Sequence, residues 1–239
     1  MEDLEDLYEG IQLACEIYKV DMVGGDTTSS AGGLIISITA TGQAEKKALT
    51  YRSGAKENDL ICVSGDLGSS FMGLQLLERE KEVFKTNPGS QPDFEGFEYL
   101  LERQLKPKAR KDVIEFFKES GIQPTAMIDV SDGLSSELLH ICHQSKCGCS
   151  IYEDKLPIDL ATAKAAEEMN LDPTTCALNG GEDYELLFTV SQNVFDKIND
   201  VPGMSVIGHI NEIATGQMLV ARDGTLVPLV AQGWNSFTE

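Results

Sequence analysis

Residues 126–134, Ala-Met-Ile-Asp-Val-Ser-Asp-Gly-Leu, constrain the fold more than any other stretch of this chain. Ala126 to Val130 is a short apolar run ending in a polar turn with Gly133, which reads as a buried strand. From Leu134 the period changes. Leu134, Leu138 and Ile141 recur at i, i+4 and i+7, the stripe of an amphipathic helix. A strand feeding straight into a helix puts the junction at the carboxyl edge of a sheet, where open α/β folds bind ligands. Two carboxylates stand there, Asp129 closing the strand and Asp132 opening the helix. Asp132 alone reads equally well as the N-cap of that helix. Asp129 does not fit that account, because the apolar run places it inside the strand. Burying an unpaired carboxylate costs several kcal/mol unless a cation or donor compensates it. A divalent metal at Asp129 is therefore expected.

The charge balance narrows the partners. With 39 acidic against 19 basic side chains the formal net charge is −20, which argues against nucleic acid. Metal ions that neutralise a local carboxylate field still let an acidic protein take a phosphorylated ligand. No apolar run reaches the length of a membrane span. Met1-Glu-Asp-Leu-Glu-Asp-Leu lacks the basic start and apolar core of a signal peptide. A cytoplasmic protein with reduced cysteines is expected. Cys142, Cys147 and Cys149, with His140 and His143, match no standard zinc spacing and read as buried thiols.

Taken in order, Asp3 to Tyr18 has helical period, and Val20 to Val23 and Leu34 to Thr41 read as strands around Gly24-Gly25-Asp26-Thr27-Thr28. The polar stretch Tyr51 to Asp59 is a candidate boundary, which gives a division into residues 1–55 and 56–239. Leu60 to Val63 is a strand, and Ser64-Gly65-Asp66-Leu67-Gly68 leads into a helix through Leu77. This geometry offers backbone N–H groups to anions but lacks the spacing of a P-loop. Lys81 to Phe97 reads as polar and loop-like. Tyr99 to Leu105 and Lys111 to Glu119 read as helices whose charges form a solvated face. Beyond the central strand and helix come a strand at Gly148 to Glu153, a helix at Asp159 to Met169 and a strand from Glu185 after Gly180-Gly181-Glu182-Asp183. A helix at Val194 to Ile198 follows, then strands at Val206 to Ile210 and Met218 to Ala221, and a hairpin turn at Asp223-Gly224.

Acids beside glycines thus recur at strand ends: Asp26, Asp66, Asp129 with Asp132, and Glu182 with Asp183. Clustered hard oxygen ligands suit Mg²⁺ beside substrate phosphates. The three histidines, His140, His143 and His209, have no setting that would activate a serine or cysteine nucleophile. A phosphoryl transfer resting on metal ions and positioning needs none.

Four motifs, Gly24-Gly-Asp-Thr-Thr28, Arg52-Ser-Gly-Ala-Lys56, Ala126-Met-Ile-Asp-Val-Ser-Asp-Gly-Leu134 and Gly180-Gly-Glu-Asp-Tyr-Glu-Leu186, resemble thiamine-monophosphate kinases in identity, order and approximate spacing. Gly233-Trp-Asn-Ser-Phe237 resembles that family's closing aromatic motif. Single motifs recur in the wider superfamily of aminoimidazole ribonucleotide synthetases and selenophosphate synthetases. The resemblance implies an α+β amino-terminal domain that forms a homodimer through a β-barrel, followed by a carboxyl-terminal α/β domain of the aminoimidazole ribonucleotide synthetase type. It implies transfer of a phosphoryl group from ATP to thiamine monophosphate, giving thiamine diphosphate, with several Mg²⁺ ions. It further implies that Asp26, Asp129 and Asp132 hold metal, that Gly25, Asp26, Arg52 and Ser131 contact ATP, and that Glu182 and Trp234 contact the thiamine moiety. Asn235 and Ser236 stand where the family often has aspartate and histidine. The family's earlier Gly-Asp-Asp segment, about 100 residues, has no counterpart before Met1, so the chain is expected to be a fragment inactive alone. Two other readings use the same residues: another ATP-dependent enzyme of the superfamily, and a truncated nucleotide- or metal-binding module without turnover.

Overall fold

The chain divides into two units, Met1–Lys46 and Lys47–Glu239, in a computed structural model that describes residues 2–231. The first unit is built on α1 (Glu2–Tyr18), whose Leu13 and Ile17 are exposed. The stretches around Val20–Val23 and 34–41 carry β-branched sequence but form no strand. Leu34, Ile35, Ile36 and Ile38 stand exposed, without the ladder partner that a strand requires among the described residues. The expectation of two strands there is corrected accordingly.

The second unit runs β1 (Leu60–Ser64), α2 (Ser69–Thr86), α3 (Glu98–Leu105), α4 (Lys111–Ser120), β2 (Ala126–Val130), α5 (Leu134–Ser145), β3 (Gly148–Tyr152), α6 (Leu160–Glu168) and α7 (Pro173–Asn179). It continues through β4 (Glu185–Val190), α8 (Phe195–Asn199), β5 (Met204–Asn211), β6 (Gln217–Val220) and β7 (Leu226–Pro228). The strands form one sheet of order β2-β4-β1-β5-β3-β6-β7. Every pairing is antiparallel except β3 with β6. The mixed α/β class agrees with expectation, but the ligand-edge rule for parallel sheets does not apply to β2. That strand lies at the sheet edge, antiparallel to β4.

Alternation along the strands sorts the core into layers. Ile61, Val63, Ile128, Val130 and Leu187 pack with Leu134, Leu138 and Ile141 of α5. Cys62, Phe188 and Val190, the intervening positions of β1 and β4, pack with Val113 and Phe117 of α4 and Ile198 of α8. Met72 and Leu76 of α2, Leu100 of α3, Ala165 and Ala166 of α6 and Cys176 of α7 make a third cluster. α2 runs past the expected end to Thr86, its outer turns held by Lys81–Glu78 and Lys85–Glu82 pairs at 2.9 and 2.6 Å. α7 was not expected. Its start carries a legible signal, Asp172 capping the Thr175 N–H at 2.7 Å with Pro173 in the first turn.

Candidate functional site

The antiparallel register of β2 and β4 sets Val130 opposite Glu185, so the loop leaving β2 meets the loop entering β4. Two backbone hydrogen bonds stitch them. The Glu182 N–H donates to the Ser131 carbonyl at 2.8 Å, and the Tyr184 N–H donates to the Val130 carbonyl at 2.9 Å. Gly181 makes the approach possible. Its φ is +71°, and a Cβ there would lie 2.6 Å from the Ser131 carbonyl oxygen. Residues 131–133 and 180–184, two of the motifs singled out in the sequence, thereby become one seam.

The carboxylates on this seam depart from the sequence reading. Asp129 is exposed rather than buried, because parity along β2 puts Ile128 and Val130 into the core and turns residue 129 outward. The cost of a buried charge, which motivated a metal there, is absent. Asp132 is not the helix cap. Gly133 occupies that position with no side-chain cap bond, and Asp132 is exposed. Glu137, in the first turn of α5 and 2% exposed, works in the opposite direction. Its Oε1 accepts from the Asp132 N–H at 3.0 Å and from the Ser131 hydroxyl at 3.3 Å, which holds the loop. Its Oε2 is buried without a partner among the described residues, and burial raises the pKa of this carboxyl.

Glu182 and Tyr184 both occupy the left-handed region, with φ of 61° and 51°. Non-glycine residues are strained there and persist only where surrounding structure holds them. The Tyr184 hydroxyl donates to Glu182 Oε2 at 3.0 Å. Its pKa is raised by burial, then by the bond to and charge of Glu182, then by the charges of Asp129 and Asp132. Three of the acids picked from the sequence therefore act on one phenol. Arg52 lies exposed in the segment before β1, next to Tyr51, whose carbonyl accepts from the Met127 N–H of β2 at 2.9 Å. Gly25 and Asp26 belong to the first unit and are exposed. Trp234, Asn235 and Ser236 lie outside the described residues.

Hard oxygen donors are what Mg²⁺ takes, often one or two carboxylates completed by substrate phosphates. Asp129 and Asp132 fit that donor chemistry. Among the described residues no group of three or more His, Cys, Asp or Glu is placed to hold a metal ion. That statement covers the cysteines of α5 and β3 as well, and Cys142, Cys147 and Cys149 are buried free thiols.

Sequence reasoning missed the residues beneath the seam. Arg103 of α3 was read as part of a solvated face, and Arg110, just before α4, was not singled out. Both reach inward to Glu185, which is 2% exposed. Arg103 meets its Oε1 at 3.1 Å, and Arg110 and the Ser64 hydroxyl bond its Oε2. The Asp183 carboxylate, 1% exposed, accepts from the Gly68 and Ser70 N–H groups at 2.8 and 3.3 Å. The helix N-terminus expected to hold an anion thus holds one of the chain's own. Burial pushes the Asp183 carboxyl up to about 7, against the opposing pull of the Gly68 N–H and Arg103. A signal was available: an acid at the first buried position of a strand demands a cation.

Residues 1–44 match the family described as AIR synthase related protein, N-terminal domain. The thiamine-monophosphate kinase of Bacillus subtilis (strain 168) is 34% identical over 244 residues, covering 98% of this chain and 70% of the relative. That of Aquifex aeolicus (strain VF5) is 35% identical over 210 residues, covering 87% of this chain and 62% of the relative. The solved structure described as "AaThiL complexed with AMPPCP and TMP" superposes with a TM-score of 0.76 at 30% identity, covering 98% of this chain and 68% of that one. The chain therefore spans between 62% and 70% of the length of these relatives. At that identity and coverage the chain belongs to the thiamine-monophosphate kinase family.

Proposed function

We propose that the protein phosphorylates thiamine monophosphate to thiamine diphosphate at the expense of ATP. A phosphate oxygen of thiamine monophosphate attacks the γ-phosphorus of ATP, the bond from that phosphorus to the bridging oxygen breaks, and ADP leaves. The observation that carries this reading is the seam itself, which ties the loop of Ser131 and Asp132 to the loop of Glu182 and Tyr184 through backbone hydrogen bonds. Exposed carboxylates on a rigid sheet edge, Asp129 and Asp132, would hold Mg²⁺. Bound there, Mg²⁺ neutralises phosphate charge and orients the reacting groups. The seam's own residues do the rest. Ser131 and Arg52 face the nucleotide, the Arg52 guanidinium offering a planar fork to phosphate oxygens. Glu182 faces the thiamine moiety, where its negative charge complements the cationic ring.

The protein is further read as cytoplasmic and homodimeric. No helix among the described residues is long and apolar enough to cross a membrane. Apolar side chains Leu34, Ile35, Ile36 and Ile38 stand exposed in the first unit, a surface that a second copy would cover. The function is tested by incubating the protein, at its full encoded length, with ATP, Mg²⁺ and thiamine monophosphate, beside substrates of related ATP-dependent synthetases. Equal amounts of ADP and thiamine diphosphate, abolished by chelator, are expected. Turnover of another acceptor without thiamine diphosphate would refute the assignment.

A further inference from the structure

The side chain of Glu182 is exposed, yet its backbone sits in a conformation that a glutamate does not adopt unaided. Burial alternates along this loop. Gly181, Asp183 and Glu185 are buried while Glu182 and Tyr184 face outward, so the loop is held by its alternate residues. Asp183 is fastened to the start of α2. Glu185 is fastened to α3 and to the approach to α4. One residue touches both anchors. The Arg103 guanidinium meets Glu185 Oε1 at 3.1 Å, donates to the Asp183 carbonyl at 3.4 Å, and donates to the Asp66 carbonyl at 3.1 Å. It joins the α2 loop, the motif loop and the first residue of β4. The packing is tight: a Cβ at Gly65 would lie 2.1 Å from the Glu185 carboxylate. Burial disfavours the charged guanidinium, and the charges of Glu185, Asp66 and Asp183 outweigh it, so Arg103 stays cationic.

Resting on the reading of Glu182 as the contact to thiamine, we infer that Arg103 is a positioning residue for that contact. Through Asp183 and Glu185 it fixes the strained backbone that presents Glu182, and so sets selectivity for the phosphate acceptor without touching it. Arginine is suited to this because its planar fork reaches three acceptors at once. A lysine ammonium keeps the charge opposite Glu185 but not the fork. Small displacements of a binding group are costly, and the effect should fall on the acceptor rather than on ATP.

The test is a double-mutant cycle in the protein at its full encoded length, with R103K, E182A and both together. R103K is expected to raise the KM for thiamine monophosphate about tenfold, leaving kcat and the KM for ATP within about twofold. E182A is expected to raise the same KM, and adding R103K to it is expected to change nothing more. Glu185→Gln serves as the second variant where R103K lowers the folded yield, with the same expected pattern. Hydrogen exchange over residues 180–185 should speed up in R103K, independently of turnover. The inference is overturned if R103K and E182A multiply in full, or if R103K lowers kcat and raises the KM for ATP together with lost thermal stability. E182A without effect on an enzyme that does use thiamine monophosphate would overturn the Glu182 reading itself, and with it the role given to Arg103.

Discussion

The Glu182 N–H donates to the Ser131 carbonyl at 2.8 Å, a bond between two motifs that stand far apart in the chain. Ser131 follows the last residue of β2, and Glu182 precedes β4, its antiparallel neighbour. The bond therefore exists because the strands pair, and whatever loosens the seam should act on both motifs together.

Gly181 is the position where this can be tested with one methyl group. Its φ of +71° and the 2.6 Å approach of the Ser131 carbonyl leave no room for a Cβ. Gly181→Ala should cost about 1–3 kcal/mol of stability, the usual range for a strained backbone position. Urea denaturation measures this. The KM for the acceptor and that for ATP should rise together, since both loops move.

Glu137 makes the opposite kind of prediction. Glu137→Ala removes the acceptor for the Asp132 N–H, and also removes a buried oxygen that has no partner among the described residues. These effects are each worth about 1–3 kcal/mol and oppose one another, so stability should change little. The loop loses its tie, and turnover should fall by about tenfold or more if Asp132 on this loop holds metal. Glu137→Gln, which keeps an acceptor in place, should retain most of the activity. Equal losses in both variants would assign the effect to charge instead.

The pH dependence of stability isolates Asp183. Its folded-state pKa of about 7 lies above the ordinary 3.8, so between those values the folded chain keeps a proton that the unfolded chain releases. Unfolding then releases a proton, and this contribution is fully present below pH 3.8 and lost as pH rises through 7. Asp183→Asn should remove it. The difference in unfolding free energy between variant and wild type should change across pH 4 to 7 and level off above. A difference that stays flat across the range would mean Asp183 is ionised throughout in the fold.

How much of this was legible follows from where the information lies. The strand at Ala126–Val130 and the helix from Leu134 were read correctly, because the change of apolar period is written in adjacent residues. The outward orientation of Asp129 was not. It depends on β2 lying at the edge and on which face meets α5, and neither is local. Arg103 and Arg110 look like ordinary helix-surface charges until β4 brings Glu185 to them, and 75 residues separate Arg110 from that partner. The reading of 34–41 as a strand used alternation and β-branched sequence, and neither supplies the neighbour a ladder needs.

Asp129 offers the most direct measurement. It is exposed, so Asp129→Asn should leave stability within about 0.5 kcal/mol of wild type, with none of the gain expected from removing a buried charge. Formation of thiamine diphosphate by the protein at its full encoded length, with ATP and Mg²⁺, should fall on the order of a hundredfold or more if this carboxylate holds metal at the reacting phosphates. The account predicts an unchanged melting temperature with that loss of turnover. Wild-type turnover in Asp129→Asn, or no thiamine diphosphate from the wild type, would contradict it.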